Sequence, residues 1–457
     1  MNNKFSFIDS FKDSSIHGIS HLAKSTTNFK RIIWSLFLLS STSLSAFLII
    51  ESFKNYFSFE VITNIRVKNE IQMIFPCIVI CNKNVFPTLN AKNYLDQVMK
   101  NHPYLKIDDI DTLASVALSL LKEESREIKK TMSLPFEEFI LSCNFKGMNC
   151  TTNDFEWFFD FSLGNCYKYN CGKDSDGKSQ PPKYITKPGI INRLFLELNV
   201  GVEYNFYEYN GVRILIKNDS TSIDMAQGID LATGTKTNLV LSKSYYNNLP
   251  FPYSDCKTNI QNKYSIIDRS FIEMNVTYNQ FDCFNLCFQL NVISKCGCYL
   301  PYYYKMNSSI ECSVADRECV ENKIMKNENV YSNCPDLCPL ECEYVKYGII
   351  SSFNSFPTKT GYMQMKDYLK YLEQKNLTFD YQKAKDSLLR ISIYFDELKI
   401  LEFSENAKMT ITDLLSNCGG VLGLMLGISF LSFVEIVEVL FDFLNYLYKK
   451  HRKIQNK

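Results

Sequence analysis

The segment GGVLGLMLGISFLSFVEIVE, residues 419–438, is apolar enough to cross a membrane, yet it carries residues that an ordinary membrane helix avoids. Glycine is about 1 kcal/mol less favourable than alanine in a helix interior, and Gly419, Gly423 and Gly427 recur at every fourth position. That spacing permits close approach between helices. Together with Gly420, these glycines also allow the helix to break and to expose backbone carbonyl groups.

A break inside a membrane segment indicates a function. Irregular backbone at membrane depth is tolerated where it lines a cavity, and rings of carbonyl oxygens can replace the hydration shell of an ion. The tripeptide Gly427-Ile428-Ser429 lies between the Gly-Gly pair and the carboxylates that follow it. We interpret these three residues as a candidate selectivity filter.

Carboxylates follow the glycines. Glu435, Glu438 and Asp442 are spaced three and four residues apart, which places them on one face of a helix. Because lipid cannot satisfy a charge, such groups usually face water or protein. We interpret Glu435 and Glu438 as residues of an aqueous cation path. The alternative is that the carboxylates lie at the cytosolic interface beside the basic tail, and we favour it for Asp442.

Two uncharged apolar runs lie near the ends of the chain, Ile32–Ile50 and Leu414–Val434. About 20 apolar residues cross a hydrocarbon core of about 30 Å, so each run predicts a membrane span. Basic residues flank the outer end of both runs, which places both termini in the cytosol. A cleaved signal peptide is the alternative for the first run, but the segment that precedes it is too long for one. A buried soluble helix is the alternative for either run.

This topology predicts a protein of the plasma membrane with five segments. They are a cytosolic N-terminus (1–31), transmembrane helix 1 (32–52), an extracellular domain (53–408), transmembrane helix 2 (409–448) and a cytosolic tail (449–457). Two spans cannot enclose a pore, so several subunits must surround it with cyclic symmetry.

The cysteines agree with an extracellular body. All 17 cysteines except Cys418 lie between Cys77 and Cys342, and cysteine-rich chains of the secretory route form disulfides. All-cysteine zinc sites are the alternative, although none of the four histidines lies within the cysteine clusters. Sequons of the form N-x-S/T predict glycosylation at Asn149, Asn218, Asn275, Asn307 and Asn376.

The body itself is predicted to be α+β. The densest cysteine cluster, residues 256–342, predicts a small lobe stapled by disulfides, whose pairing the spacing leaves open. Period-2 alternation predicts strands and helical periodicity predicts helices elsewhere. The predicted strands are 75–82, 193–200, 211–219 and 390–403, the last as one strand or a pair, and the predicted helices are 111–130 and 362–375.

Several classes of function are disfavoured. The formal net charge is +1, so the overall charge of the chain gives no attraction to nucleic acid as a partner. No glycine-rich phosphate loop, histidine–cysteine pair or Ser-His-Asp constellation stands out. We therefore predict a protein that is not an enzyme and that uses no cofactor and no bound metal.

Four short motifs occur in a defined order. His17-Gly18 precedes the first apolar run, FPCIVICN (75–82) follows it, GNCYKYN (164–170) precedes the cysteine cluster, and GIS (427–429) lies in the second run. In this order they resemble the degenerin/epithelial sodium channel family over nearly the whole chain. His17-Gly18 is similar to the N-terminal gating motif of that family.

The resemblance implies a fold and an activity. The fold is a trimer of identical or sibling subunits, each with two transmembrane helices and a disulfide-rich extracellular domain of palm, β-ball, finger, thumb and knuckle regions. The activity is sodium-permeable, amiloride-blocked conduction. Ser416 falls where a small side chain lets the gate close, so the implied pore and gate contain Ser416, Gly419, Gly420 and Gly423.

The resemblance also implies a disulfide pattern. Cys171 has no family partner in it and is either free or joined to Cys77. The implied pairs are Cys81–Cys166, Cys143–Cys150, Cys256–Cys342, Cys283–Cys338, Cys287–Cys334, Cys296–Cys319 and Cys298–Cys312.

The chain departs from the acid-sensing members of that family. Glu60-Val61 occupies the position of their His-Val pair, Asn417 replaces an Asp, and His102 is the single histidine of the predicted extracellular domain. Histidine is the side chain that ordinarily titrates near neutral pH, so proton gating is not expected. The short chain and tails look most like the neuropeptide-gated, hydrozoan-type branch.

Three hypotheses of function follow. The first is a cation channel subunit that an extracellular peptide opens, with Na+ as the permeant ion and Ca2+ permeation left open. The second is a two-span, disulfide-rich adhesion or scavenger receptor, which explains the cysteines and the topology but not the glycines or Glu435. The third, a two-span channel gated by a nucleotide, lacks a basic extracellular cluster suited to a triphosphate.

Overall fold

The computed structural model describes most of the chain, in two compact units. It describes residues 17–448 except 108, 219–226, 259–265, 275–276, 301–309, 313–315, 317–318, 327–333, 366–368, 371–372, 374–377, 430, 433, 436, 439, 442–443 and 445–447. The smaller unit combines Met1–Thr63, Phe251–Tyr253 and Glu405–Lys457, and the larger unit combines Asn64–Pro250 and Ser254–Ser404.

Helices and strands are mixed along the chain, as predicted for an α+β body. The helices are α1 (His17–Lys24), α2 (Asn28–Phe57), α3 (Leu89–Asn101), α4 (Ile110–Leu121), α5 (Arg126–Thr131), α6 (Phe136–Phe139), α7 (Ile266–Met274), α8 (Gln280–Cys296), α9 (Cys334–Leu337), α10 (Lys359–Gln364), α11 (Tyr381–Ser387) and α12 (Ile411–Leu426). The strands are β1 (Val61–Asn69), β2 (Met73–Ile74), β3 (Cys77–Asn82), β4 (Ile140–Phe145), β5 (Met148–Asn149), β6 (Phe155–Asp160), β7 (Gly164–Tyr169), β8 (Tyr184–Ile185), β9 (Leu194–Asn199), β10 (Gly211–Lys217), β11 (Ile229–Ala232), β12 (Thr235–Asn247), β13 (Cys298–Tyr299), β14 (Ile310–Glu311), β15 (Glu343–Ser355) and β16 (Leu388–Ala407).

A seven-stranded sheet carries the main core of the larger unit. Its order is β15-β12-β16-β9-β4-β5, and β1 also pairs with β16. Leu194 and Leu196 of β9 are fully buried and lie opposite Ile393 and Ile391 of β16. Period-2 alternation puts such residues on one face of a strand. β16 is a single strand of 20 residues, so the predicted segment 390–403 is one strand and not a pair.

A second sheet has five strands in the order β11-β10-β3-β7-β6. Cys77, Val79 and Cys81 of β3 lie on one face, as the alternation predicted, and share a buried cluster with Cys166 and Cys171. Every residue of β3 is buried. This sheet therefore has a disulfide-bearing face as well as a face on the main core.

The predicted helix 111–130 is wrong as one element. It divides into α4 and α5, because the Ser125 side chain accepts the amide of Ile128 and so caps the start of a new helix. α3 and α4 share an apolar cluster that includes Leu95, Leu113 and Leu118. The predicted helix 362–375 is helical in its first part, in α10, and again at residues 369, 370 and 373, whereas residues 366–368, 371–372 and 374–375 lie outside the described residues.

The cysteine cluster forms a helical lobe. Asn279 accepts the amide of Asp282 at the start of α8, and Gly297 ends the helix with a φ of 75°, a conformation that glycine adopts without strain. Cys283 and Cys287 of α8 are buried with Cys334 and Cys338 of α9. Disulfides supply much of the stability that so small an apolar core cannot provide.

Candidate functional site

The first feature of the candidate site is the start of α12. Thr410 and Asp413 form a reciprocal capping box, in which each side chain accepts the backbone amide of the other residue. Such a box satisfies amides that the first turn of a helix leaves unpaired. The start of α12 is therefore fixed three residues before Leu414, where the apolar run begins.

α12 has two different faces. Leu414 is only 6% exposed, and Cys418, Val421 and Met425 continue its half-buried stripe at helical spacing. This stripe is the side that packs in the smaller unit, where α12 contacts α2.

The candidate gate residues lie on the other side of α12. At about 100° per residue, Ser416, Gly420 and Gly423 point away from the Leu414 stripe, and Gly419 flanks them. All four are exposed in the single chain. A Cβ atom added to Gly419 or Gly420 would meet no atom within 4 Å. The sequence-predicted gate residues therefore share one open face.

α12 ends at the candidate filter. Gly427 has a φ of 68°, and its amide donates to the Gly423 carbonyl at 3.0 Å. The amide of Ile428 donates to the Leu422 carbonyl at 3.3 Å, and the amide of Ser429 donates to Oγ of Ser432 at 3.1 Å.

These bonds change the partners of two carbonyls. In a continuous helix the amide of residue i donates to the carbonyl of residue i−4, so Ile428 and Ser429 would donate to Leu424 and Met425. Both amides bond elsewhere, and the carbonyls of Leu424 and Met425 are released from the helical ladder. The predicted second span is thus interrupted at the residues that were interpreted as a filter.

The carboxylates follow the break. The Ser432 side chain is 1% exposed, and its amide donates to the Ser429 carbonyl at 3.0 Å. Glu435 is half-buried and Glu438 is exposed. Asp442 lies outside the described residues.

Among the described residues, one helix is long and apolar enough by itself to cross a membrane, α2 with 30 residues. It extends beyond the predicted span 32–52 at both ends. α12 is apolar but has 16 residues.

The candidate N-terminal gating motif lies beside α2. Gly18 is so close to this helix that a Cβ atom would lie 2.3 Å from Cδ1 of Leu38. The His21 imidazole stacks on the Trp34 ring with a centroid distance of 4.6 Å. His17 begins α1, and its side chain lies outside the described part of the structure. Sequence reasoning missed the contact between His21 and Trp34.

Two more contacts were missed at the strand ends of the smaller unit. The Lys408 amide donates to the Glu60 carbonyl at 2.9 Å, and Nζ of Lys408 lies 2.5 Å from Oε2 of Glu60. The Phe59 and Tyr253 rings meet edge to face at 5.6 Å. The sequence signal for the contact between Lys408 and Glu60 is Glu60 itself, which occupies the position of the histidine in the His-Val pair of the acid-sensing members.

Disulfides occupy every cysteine between Cys77 and Cys342. The structure joins each pair that the resemblance implied and also joins Cys77 to Cys171. The eight disulfides are Cys77–Cys171, Cys81–Cys166, Cys143–Cys150, Cys256–Cys342, Cys283–Cys338, Cys287–Cys334, Cys296–Cys319 and Cys298–Cys312.

These bonds make the zinc alternative wrong for this region, because a thiolate must be free to bind the metal. Among the described residues, no group of three or more His, Cys, Asp or Glu side chains is placed to hold a metal ion. Two candidate glycosylation sites, Asn149 and Asn218, are exposed. Asn275, Asn307 and Asn376 lie outside the described residues.

A disulfide-rich domain and an apolar segment that breaks at Gly427 agree with the class of ion-channel subunits, and the family comparison supports that class. The chain belongs to the amiloride-sensitive sodium channel family, whose sequence model matches residues 10–439.

Curated relatives include channels with different stimuli in their names. The human bile acid-sensitive ion channel is 24% identical over 94% of this chain and 84% of that protein. Chicken acid-sensing ion channel 1 is 25% identical over 97% of this chain and 84% of that protein. The epithelial sodium channel subunit alpha of Neoceratodus forsteri is 26% identical over 74% of this chain and 50% of that protein.

Proposed function

We propose that the chain is a subunit of a trimeric, sodium-permeable cation channel that an extracellular peptide opens and amiloride blocks. The interruption of α12 at Gly427 is the observation that carries the proposal. It releases the carbonyls of Leu424 and Met425 from the amides of Ile428 and Ser429 within an apolar segment, where such carbonyls are tolerated if they line a cavity or bind ions.

The open face of α12 supports the assembly. Ser416, Gly420 and Gly423 point away from the stripe packed in the smaller unit, so this face is free to line a pore or to meet the same face of neighbouring subunits. A single chain cannot enclose a pore, and closed cyclic symmetry is the usual solution. Sibling subunits in a homotrimer or a heterotrimer would supply the other faces.

The proposed topology uses two spans, with both termini in the cytosol and residues 53–408 outside the cell. α2 would form the first span. α12, the segment 427–429 and the residues that follow would form the second span, with Glu435 and Glu438 beyond the filter in the cation path.

The gating proposal rests on the departures from the acid-sensing pattern. Glu60 stands where the acid-sensing members have a histidine. Its carboxylate forms an ion pair with the ammonium group of Lys408. His102 is the single histidine between residues 53 and 408. With so few groups that titrate near neutral pH, we infer an extracellular peptide as the stimulus, as in the hydrozoan-type branch.

Expression in oocytes tests the proposal. The chain is expressed alone and with sibling subunits, amidated peptides are applied, and reversal potentials are measured in Na+ and in Ca2+ with and without amiloride. Ser429→Tyr and Glu435→Gln should change selectivity or abolish current, whereas Leu431→Ala, at an exposed apolar position, should not. Surface biotinylation of every variant is the control.

The same experiment separates the two leading hypotheses. Absence of current under all subunit combinations, despite surface expression, contradicts the channel and favours a two-span adhesion or scavenger receptor. A receptor would also tolerate Ser429→Tyr and Glu435→Gln without a change in its surface expression.

A further inference from the structure

A row of aromatic rings covered by cations, here called the seam, follows β6 at the edge of the five-stranded sheet. Trp157 and Phe159 occupy alternate positions of β6, and Phe161 follows in the next turn. Alternate positions of a strand share one face, and the Phe159 and Phe161 rings meet edge to face at 6.1 Å. Trp157 and Phe159 therefore share one face of β6, and Phe161 contacts the Phe159 ring at its end.

Cations from the neighbouring helical segment lie over this row. Nζ of Lys122 is 5.6 Å from the Phe161 centroid, and Nζ of Lys129 is 5.3 Å from that of Phe159. Trp157 receives two cations, since Cζ of Arg126 lies 4.9 Å and Nζ of Lys130 lies 5.4 Å from its ring. Such distances fall within the range of cation–π attraction.

The cations at one end of the seam have polar partners. Lys122 forms an ion pair with Glu311 at 2.8 Å, and Tyr299 donates its hydroxyl to the same carboxylate at 3.1 Å. Burial lowers the pKa of Lys122, but the hydrogen bonds with Glu311 and Tyr299 outweigh it, so the net pKa is raised. Nζ of Lys129 donates to the Lys122 carbonyl at 2.7 Å.

The Trp157 end of the seam is different. Arg126 and Lys130 are both exposed, and within the described residues neither forms an ion pair or a side-chain hydrogen bond. They are four residues apart in α5, a spacing at which like charges repel by about 0.2–0.5 kcal/mol. An anion between them would relieve that repulsion.

The ring at this end is held in place. Nε1 of Trp157 donates to Oδ1 of Asn165 at 2.8 Å, and Nδ2 of Asn165 donates to the Lys129 carbonyl at 2.7 Å. Asn165 is only 5% exposed. One buried amide thus joins the ring on β6 to the helix that carries both cations, and it fixes the ring relative to Arg126 and Lys130.

We propose that Arg126, Lys130 and Trp157 form a binding site for an oxyanion, a carboxylate, sulfate or phosphate group of an extracellular ligand. A guanidinium stacked on a ring keeps its in-plane N–H groups free, and these match two oxygens of such a group. The Lys130 ammonium adds a second charge. Sequence reasoning found no basic extracellular cluster suited to a triphosphate, and the site proposed here is smaller, with two cations for a single oxyanion group.

Intrinsic fluorescence of the purified full-length protein tests the site without a known agonist. The chain has two tryptophans, so Trp34→Phe leaves Trp157 as the sole reporter. Succinate, sulfate and phosphate are titrated separately at constant ionic strength, and their relative affinities distinguish the three oxyanions. Isothermal titration calorimetry on the same samples detects binding that leaves the emission unchanged.

We expect saturable binding that Arg126→Gln/Lys130→Gln weakens by about tenfold or more, as loss of charge-assisted bonds predicts. Arg126→Lys keeps the charge but loses the two in-plane donors, so it should weaken binding by less than Arg126→Gln/Lys130→Gln does. Lys173→Gln/Lys187→Gln removes two exposed cations elsewhere and should leave binding unchanged. The proposal is overturned if neither method gives a saturable signal, or if the control pair weakens binding equally. Binding does not require conduction, so this test stands apart from the oocyte experiment.

Discussion

The Ile428 amide donates to the carbonyl of Leu422, six residues earlier, at 3.3 Å. A continued helix would have directed the same amide to Leu424. The left-handed conformation of Gly427 produces this redirection, and it turns an apolar segment into a helix that stops at the proposed filter. The backbone of three residues therefore carries much of the proposed mechanism.

Gly427→Ala should disturb the filter. A residue with a Cβ atom pays about 1–2 kcal/mol in the left-handed region, so the substitution favours a straighter helix in which Ile428 bonds to Leu424. We expect a shift of the reversal potential towards weaker Na+ over K+ selectivity, or loss of current, measured by voltage clamp.

Gly147→Ala is the matched control for that substitution. Gly147 has a φ of 85° and meets no atom within 4 Å of an added Cβ, so alanine there pays the same left-handed penalty outside the proposed pore. Unaltered selectivity is expected. If Gly427→Ala is as well tolerated as Gly147→Ala, the left-handed turn of Gly427 has no role in ion selectivity.

Ser416→Phe should give a standing current. Ser416 lies on the open face of α12, where a large ring would keep neighbouring helices apart in a closed gate. The measurement is resting current before any ligand is added, normalised to surface protein. Leu415→Phe adds an aromatic ring at the adjacent, 66% exposed position and should stay closed. Wild-type gating in Ser416→Phe would mean that the gate lies elsewhere on α12.

Gly18→Val should reduce current through a clash with α2. Cδ1 of Leu38 can move away from a single methyl group, but the branched valine leaves less room, so α1 must shift. We expect reduced peak current at normal surface expression. Leu38→Ala should restore much of the current in the double variant, and failure of this rescue would assign the defect to another contact.

Loss of the Cys77–Cys171 bond should destabilise the extracellular domain. The bond joins residues 94 positions apart, and removing a native disulfide from a small secreted domain typically costs about 2–5 kcal/mol. The double variant Cys77→Ser/Cys171→Ser should show a lower Tm and reduced surface expression. Peptide mapping of the native protein under non-reducing conditions should recover the linked peptides, and two free thiols there would refute the pairing.

Asn149→Gln and Asn218→Gln should each increase electrophoretic mobility by one glycan. Both side chains are exposed, and only a domain in the secretory route receives the sugar. The readout is the shift relative to glycosidase-treated wild type. Epitope tags at the two termini should be detected only after permeabilisation, and detection on intact cells would reverse the proposed topology.

Local chemistry explains how much of the fold could be predicted from sequence. The strand β3 was correct because alternation of Cys77, Val79 and Cys81 depends on neighbouring residues alone. The helix 111–130 was wrong because a single cap at Ser125 outweighed a continuous helical pattern. The glycines indicated a break in the second apolar run, since glycine is the residue that tolerates a left-handed turn.

By itself, the sequence determined the apolar runs, the extracellular character of the cysteine-rich body and the position of the glycines proposed for the filter, because composition and spacing act over a few neighbours. The tertiary structure decided that Cys171 bonds to Cys77, that the residues proposed for the gate share the open face of α12, and that Arg126 and Lys130 meet over Trp157. These relationships join residues that are distant in the chain or depend on which side of an element is covered. Only the packed chain specifies them.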